Sequence, residues 1–247
     1  MKHLIRNWAT AFLSPRPVIG AFYLPRYFQN WWAFQRMTSG EKLRWQDSYP
    51  CLLDQVIETP FDPHYFYQGA WLARRLAEFK PALHVDIGSS VLTMSVLSGA
   101  HPTVFVDVRP LKVTLSRFAS IAGDATRLPF HDASVASLSC LHVIEHVGLG
   151  RYGDRLDPEG SRITFKELTR VLAKGGKLYL TLPVGRQRTC FNAHRIFSPR
   201  TILAWGEGLA LDRFALVPDD GDFVDPAKVD AAEALDYGCG MFEFSRT

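Results

Sequence analysis

His84-Val85-Asp86-Ile87-Gly88-Ser89-Ser90 ends an apolar run, Leu83 to Ile87, at one glycine and two small hydroxyl residues. It predicts a buried strand ending in a tight turn where backbone can approach a ligand. Downstream, Thr103 to Val106 ends at Asp107, and Gly123-Asp124-Ala125 follows. Val135 to Leu141 then leads into His142-Val143-Ile144-Glu145-His146. Leu168 to Leu172 precedes Lys174-Gly175-Gly176, and Lys177 to Leu182 ends at Pro183. Strands that end on acids and glycines, alternating with helical patterns, predict an open, doubly wound α/β sheet with a ligand site at the strand ends. The expected strands are 83–87, 103–107, 119–122, 135–141, 177–182, 210–217 and about 240–245, with helices at 91–99, 160–173 and 199–207. Only 11 residues separate Asp107 from Ala119, and Pro110 is among them, so a full crossover helix does not fit there. The last two strands suit an antiparallel pair joined by the acidic segment 218–238.

The chain is long enough for one α/β domain and an extension, with 47% hydrophobic and 21% charged residues in 247. A net charge of +3 gives no electrostatic case for nucleic acid, which is not an expected partner. Cys51, Cys140, Cys190 and Cys239 form no C-x-x-C pair, which argues against a disulfide framework and fits a reducing, cytoplasmic setting. No apolar stretch reaches the roughly 20 residues of a membrane span. Residues 1–40 hold no Asp or Glu, but they hold five cations, Lys2, Arg6, Arg16, Arg26 and Arg36, among many aromatics. Residues 1–80 therefore read as a basic, aromatic arm with helices packing on a core domain, 81–247. Residues 1–36 invite peripheral contact with the inner face of an anionic membrane. An oligomer contact, such as a homodimer, is the other use of such an arm.

The strand ends carry the candidate chemistry. Asp86, Gly88, Ser89 and Ser90 form the first turn, which an ordinary helix cap would also explain. Asp107, with Val108 behind it, stands 21 residues after Asp86, where a carboxylate can accept both hydroxyls of a ribose. Asp124 and Ala125 follow the third strand and precede a Leu-Pro-Phe turn that can supply an apolar wall. His142, Glu145 and His146 fall at the switch point of a doubly wound sheet. There Glu145 and His146 can serve as base, face substrate, or hold a divalent metal with His194; shaping the loop is the structural alternative. Arg151, Tyr152 and Arg195 put cations and a phenol on the same rim, which suits an anionic acceptor.

Asp124-Ala125-Thr126-Arg127-Leu128-Pro129-Phe130, Val143-Ile144-Glu145-His146 and Glu167 through Gly176 together resemble the class I S-adenosylmethionine-dependent methyltransferases, over roughly residues 82–217. His84 to Ser89, Glu145 to Asp154 and Asn192-Ala193-His194-Arg195 look like an uncharacterised bacterial methyltransferase-like family, some of whose members occur near surface-polysaccharide genes. The resemblance implies a Rossmann-like, mostly parallel sheet of order 3-2-1-4-5-7-6, and S-adenosylmethionine held by Asp86, Gly88, Ser89, Ser90, Asp107, Val108, Asp124, Ala125 and His142. The expected reaction is then O-methylation of a small-molecule, sugar or glycolipid acceptor, with His146, Glu145, Tyr152 and Arg195 at the reacting end. Two departures stand out: the first motif keeps one glycine, and the crossover after Asp107 is short. They favour the competing expectation, a methyltransferase fold kept as a binding or scaffold protein. Nicotinamide chemistry is weaker still, because pyrophosphate needs the missing glycines. A metal on Glu145, His146 and His194 is a minor alternative within the first reading.

Overall fold

The computed structural model describes residues 15–37, 40 and 42–247, so the expectations for residues 1–14 lie outside the described part. The chain divides into two compact units, one up to Pro60 and one from Phe61. In the first, α1 (Pro15–Met37) carries Tyr27, Phe28 and Trp31, whose rings cluster with one another and with Trp45 of a short 3-10 turn, Trp45–Asp47. Gln35 accepts from the Leu43 amide at 3.0 Å and ties α1 to the segment that follows. Among the described residues no helix is long and apolar enough to cross a membrane.

The second unit opens with α2 (Pro63–Phe79), which the sequence alone assigns to the N-terminal arm. Asp62 caps it by accepting from the Tyr65 amide at 3.2 Å, Pro63 supplies the preset first position, and Lys80 ends it in the left-handed region, φ 52°. There follow β1 (His84–Ile87), α3 (Val91–Leu97), β2 (Thr103–Asp107), β3 (Phe118–Ala122), β4 (Val135–Leu141), α4 (Gly160–Val171) and β5 (Leu172–Val184). The rest comprises β6 (Arg188–Cys190), β7 (His194–Ile196), α5 (Pro199–Trp205), β8 (Leu209–Val217) and β9 (Gly238–Arg246). Seven strands form one sheet in the order β3-β2-β1-β4-β5-β9-β8, which is 3-2-1-4-5-7-6 when the separate β6–β7 hairpin is left out of the count. β1 to β5 are parallel, and β9 runs antiparallel to both β5 and β8.

Strands covered on both faces should be buried throughout and mostly apolar; β1 is buried at all four residues but carries His84 and Asp86 inside, and β4 and the second half of β5 are the more apolar. One core, with Val85, Leu138, Phe165, Leu168, Leu180 and Phe242, lies under α4 and α5. The other, with Trp71, Leu72, Leu76, Met94, Phe105 and Met241, lies under α2 and α3. Each such side chain contributes about 1.5–3 kcal/mol by leaving water. No helix forms between β2 and β3, as the short connection requires.

Three local expectations are corrected. β5 begins at Leu172 and runs through Gly175 and Gly176, where the sequence predicts a turn; a register shift opposite Val135 and Ser137 absorbs Gly175 at φ +71°. The β6–β7 hairpin, paired from Arg188 opposite Ile196 to Cys190 opposite His194, has no alternating pattern long enough to read. His142 has φ +53°, so the 142–146 segment begins in the left-handed region and continues as tight turns rather than as a helix.

Candidate functional site

At the C-terminal ends of the strands, a cleft of about 220 Å³ is walled by Gly88, Asp107, Asp124, Val143, His146 and Tyr152. Gly88 leaves β1 with φ +63°; a Cβ there would stand 3.4 Å from the Val143 side chain and 3.7 Å from Asp107 Oδ2. The missing side chain therefore keeps the floor open. Asp107 closes β2, and its Oδ1 accepts from the Arg109 amide at 2.7 Å while Oδ2 faces Gly88. Asp124 Oδ1 accepts from the Thr126 amide at 2.8 Å and from its hydroxyl at 2.7 Å, which fixes the turn after β3.

Of the residues expected at a cofactor, Gly88, Asp107, Val108, Asp124, Ala125 and His142 line the cleft. Asp86, Ser89 and Ser90 are not on its wall. Asp86 is fully buried and accepts from the Ser89 amide (3.0 Å), the Ser89 hydroxyl (2.6 Å) and the Ser139 hydroxyl. Burial pushes its pKa up to about 6, against the pull of those bonds. Ser89 Oγ accepts from the Leu141 amide at 2.9 Å, and Ser90 caps α3. These three shape the loop from behind.

The segment after β4 holds the titratable groups. Glu145 is fully buried, and its Oε2 has no hydrogen-bond partner. Its Oε1 lies 2.9 Å from His142 Nδ1 and 3.7 Å from His146 Nε2. His142 Nε2 meets Cys239 Sγ at 3.3 Å, so both nitrogens of His142 are engaged although the residue borders the cleft. Burial opposes charge on that ring, yet Cys239 and Glu145 raise its pKa. His146 donates Nδ1–H to the Ala193 carbonyl at 2.6 Å, which leaves Nε2 with its lone pair. Burial lowers its pKa, with Arg151 and His142 adding to the effect. Tyr152 crosses edge-on to His146 at 5.8 Å and lies near the guanidinium groups of both Arg109 and Arg151, each 5.2 Å from its ring. Arg109 and Tyr152 thus meet at the rim of the cleft.

Arg195 does not reach this rim. It is buried and donates to the carbonyls of Val147 (2.6 Å), Asp157 (3.3 Å) and Pro158 (3.4 Å) and to Ser161 Oγ (2.9 Å). Its work is bracing the loop. Nor do Glu145, His146 and His194 gather as metal ligands: the His146 and His194 rings are 6.5 Å apart. Among the described residues, the group of possible ligands that converges is His64, His142 and Cys239, with one donor atom from each within 4.8 Å of the others. His64 lies in the first turn of α2 and stacks on both His142 (5.5 Å) and Tyr237 (5.1 Å). Burial and the neighbouring His142 charge lower its pKa to about 4. Sequence reading misses His64, Tyr237 and Cys239: they lie far apart in the chain, and nothing in their local patterns marks them as neighbours.

The fold is that of the class I S-adenosylmethionine-dependent methyltransferases. The N-methyltransferase NodS from Bradyrhizobium japonicum WM9, solved with S-adenosyl-L-homocysteine, is 15% identical with a TM-score of 0.53, over 75% of this chain and 88% of that one. The YcgJ protein from Bacillus subtilis is 13% identical with a TM-score of 0.51, over 74% and 99%. The [4+2]-cyclase SpnF is 15% identical with a TM-score of 0.51, over 71% and 80%. A cyclase among such neighbours illustrates that this fold does not fix a reaction. The sequence profile of an uncharacterised family, described as "Caenorhabditis protein of unknown function, DUF268", matches residues 93–205. No curated protein matches the sequence.

Proposed function

We propose that the protein is an S-adenosylmethionine-dependent methyltransferase that methylates a hydroxyl of a sugar or glycolipid. The observation that carries this reading is His146: it lines a cleft whose floor is Gly88 and Asp107, and the Ala193 carbonyl holds its Nδ1–H, which leaves Nε2 with its lone pair. The residues present suit the cofactor. Gly88 leaves space that a Cβ would fill, and the free Asp107 Oδ2 beside it can accept ribose hydroxyls, at about 1.5–3 kcal/mol for each charged hydrogen bond. When bound, S-adenosylmethionine supplies a methyl group already activated by a sulfonium. The protein is left with alignment and the removal of one proton. His146 Nε2 takes the hydroxyl proton, and the Glu145 carboxylate 3.7 Å away stabilises the imidazolium as it forms. Arg151, Arg109 and Tyr152 supply the cationic and aromatic rim against which an anionic acceptor is oriented. Exposed Phe22, Trp32 and Met37 on α1, with Arg26 and Arg36, support contact with an anionic lipid surface, where a glycolipid would be met.

Calorimetric titration of cofactor-stripped protein with S-adenosyl-L-homocysteine should give a micromolar Kd, weakened about tenfold or more by Asp107→Ala, a loss of about 1.4 kcal/mol. His146→Ala should keep that affinity and lower turnover by about 10²–10⁴-fold. Absence of both binding and thermal shift would overturn the reading. It would favour a scaffold protein, whose support is the cleft of about 220 Å³, below the roughly 300 Å³ of ordinary ligand pockets.

A further inference from the structure

We propose that His64, His142 and Cys239 bind a divalent transition metal, with zinc the best match to the donor set. The three come from the first turn of α2, the loop after β4, and β9, so only the folded second unit assembles them. The proposal does not rest on methyl transfer.

The geometry is close to what an ion needs. Zinc bonds of about 2.0–2.1 Å to nitrogen and 2.3 Å to sulfur, at the tetrahedral angle, put the two donor atoms about 3.6 Å apart. His142 Nε2 and Cys239 Sγ are 3.3 Å apart. The His64 donor lies within 4.8 Å of both, and His64, the least buried of the three, closes the gap by turning its ring out of its stack on Tyr237. Glu145 completes the arrangement. It receives His142 Nδ1–H at 2.9 Å, so Nε2 is the nitrogen presented to the ion. A carboxylate behind a liganding histidine fixes the ring and raises its basicity.

Charge points the same way. Glu145 is a fully buried carboxylate with one oxygen unpartnered, and Cys239 is a fully buried thiol against an imidazole. A buried charge needs compensation nearby; in the metal-free protein it comes from His142, which lies between the two, and an ion on Nε2 would take the place of that ring's proton. One divalent ion cancels the Glu145 carboxylate and a Cys239 thiolate together. A thiolate and two imidazoles favour zinc over magnesium or calcium, which take oxygen. Three protein ligands leave a fourth position open, the pattern of catalytic zinc rather than of closed structural sites. Its ligand would be a water or an anionic oxygen. This set differs from Glu145, His146 and His194, the ligands that chain spacing suggests.

Metal-free full-length protein is titrated with zinc alone against a chromophoric chelator, and with cobalt. One equivalent per chain is expected. The cobalt form should show sulfur-to-metal charge-transfer absorption that Cys239→Ser abolishes. Glu145→Gln should weaken zinc binding about 10–100-fold, and His64→Ala at least as much. His146→Ala and His194→Ala should keep both stoichiometry and spectrum. Circular dichroism of each metal-free variant reports its fold; if Cys239→Ser does not fold, the parent's cobalt spectrum and His64→Ala decide. Uptake below stoichiometry, cobalt binding without a sulfur band, or binding lost in His146→Ala or His194→Ala but kept in His64→Ala overturns the proposal. The result is independent of S-adenosyl-L-homocysteine binding, so either reading can fail alone.

Discussion

His84 sits in the first strand with both ring nitrogens on hydroxyls, Ser137 at 2.8 Å and Ser139 at 2.9 Å. Because Ser139 donates to Asp86, it accepts from His84 Nε2–H, and Nδ1 accepts from Ser137. Burial lowers the His84 pKa to about 3 and raises that of Asp86 to about 6. The two oppose each other. Between about pH 3 and 6.5 the unfolded chain holds a proton on His84 that the folded chain lacks, so this group makes stability rise with pH. Between about pH 4 and 6 the folded chain holds a proton on Asp86 that the unfolded chain has lost, so stability falls. Replacing His84 by Gln removes only the rising contribution. Urea unfolding at pH 4, 5 and 6 should therefore show the gap between parent and His84→Gln widening with pH, by about 1 kcal/mol per unit. A constant gap would mean that the ring is charged or solvated. Residues of this kind show where sequence reading stops. His84, Ser137 and Ser139 each look like strand filler, and only register, with Asp86 opposite Ser139, turns them into a chain of hydrogen bonds.

At the scale of elements, the loop from Gly148 to Pro158 is held from two sides. Asp154 accepts from the amides of Gly148 (2.7 Å), Gly150 (3.3 Å) and Tyr152 (3.2 Å), and Arg195 reaches it from β7. Gly148 has φ +82°, and a Cβ would fall 2.0 Å from the Asp157 carbonyl oxygen. Arg195→Ala should cost about 2–3 kcal/mol, since it unpairs buried carbonyls. It should lower Tm by several degrees and expose the loop to limited proteolysis; Gly148→Ala should act in the same direction. Lost turnover with unchanged melting and digestion would instead return Arg195 to a role at the acceptor. The motif Asn192-Ala193-His194-Arg195 points to the right region and suggests the wrong role, because a cation beside a glycine-rich loop reads the same whether it meets a ligand or the loop's own carbonyls. The strands were legible because buried segments write mostly apolar runs and because acids and glycines mark their ends, whereas their order followed from the resemblance to the methyltransferases. The β6–β7 hairpin and the extension of β5 across Gly175 were not, since three-residue strands and a bulge leave no periodicity.

At the scale of the molecule, both hydrophobic cores draw on residues from Tyr67 onward. Residues 61–247 should therefore unfold as one cooperative transition without residues 1–60, with a Tm within a few degrees of the full chain; loss of that transition on truncation would show that the first unit completes the core. An inner strand of this sheet, next to one edge, is also supplied late. β9 lies between β5 and β8, pairing with β5 over eight residues from Lys177 to Val184. During ribosomal synthesis β8 emerges before β9, the strand it pairs with in the sheet, while β5 waits with an open flank of amides and carbonyls. The nascent chain must stay unassociated through that interval, and ribosome-bound intermediates stalled before Gly238 are where chaperone dependence and strand-edge aggregation should concentrate.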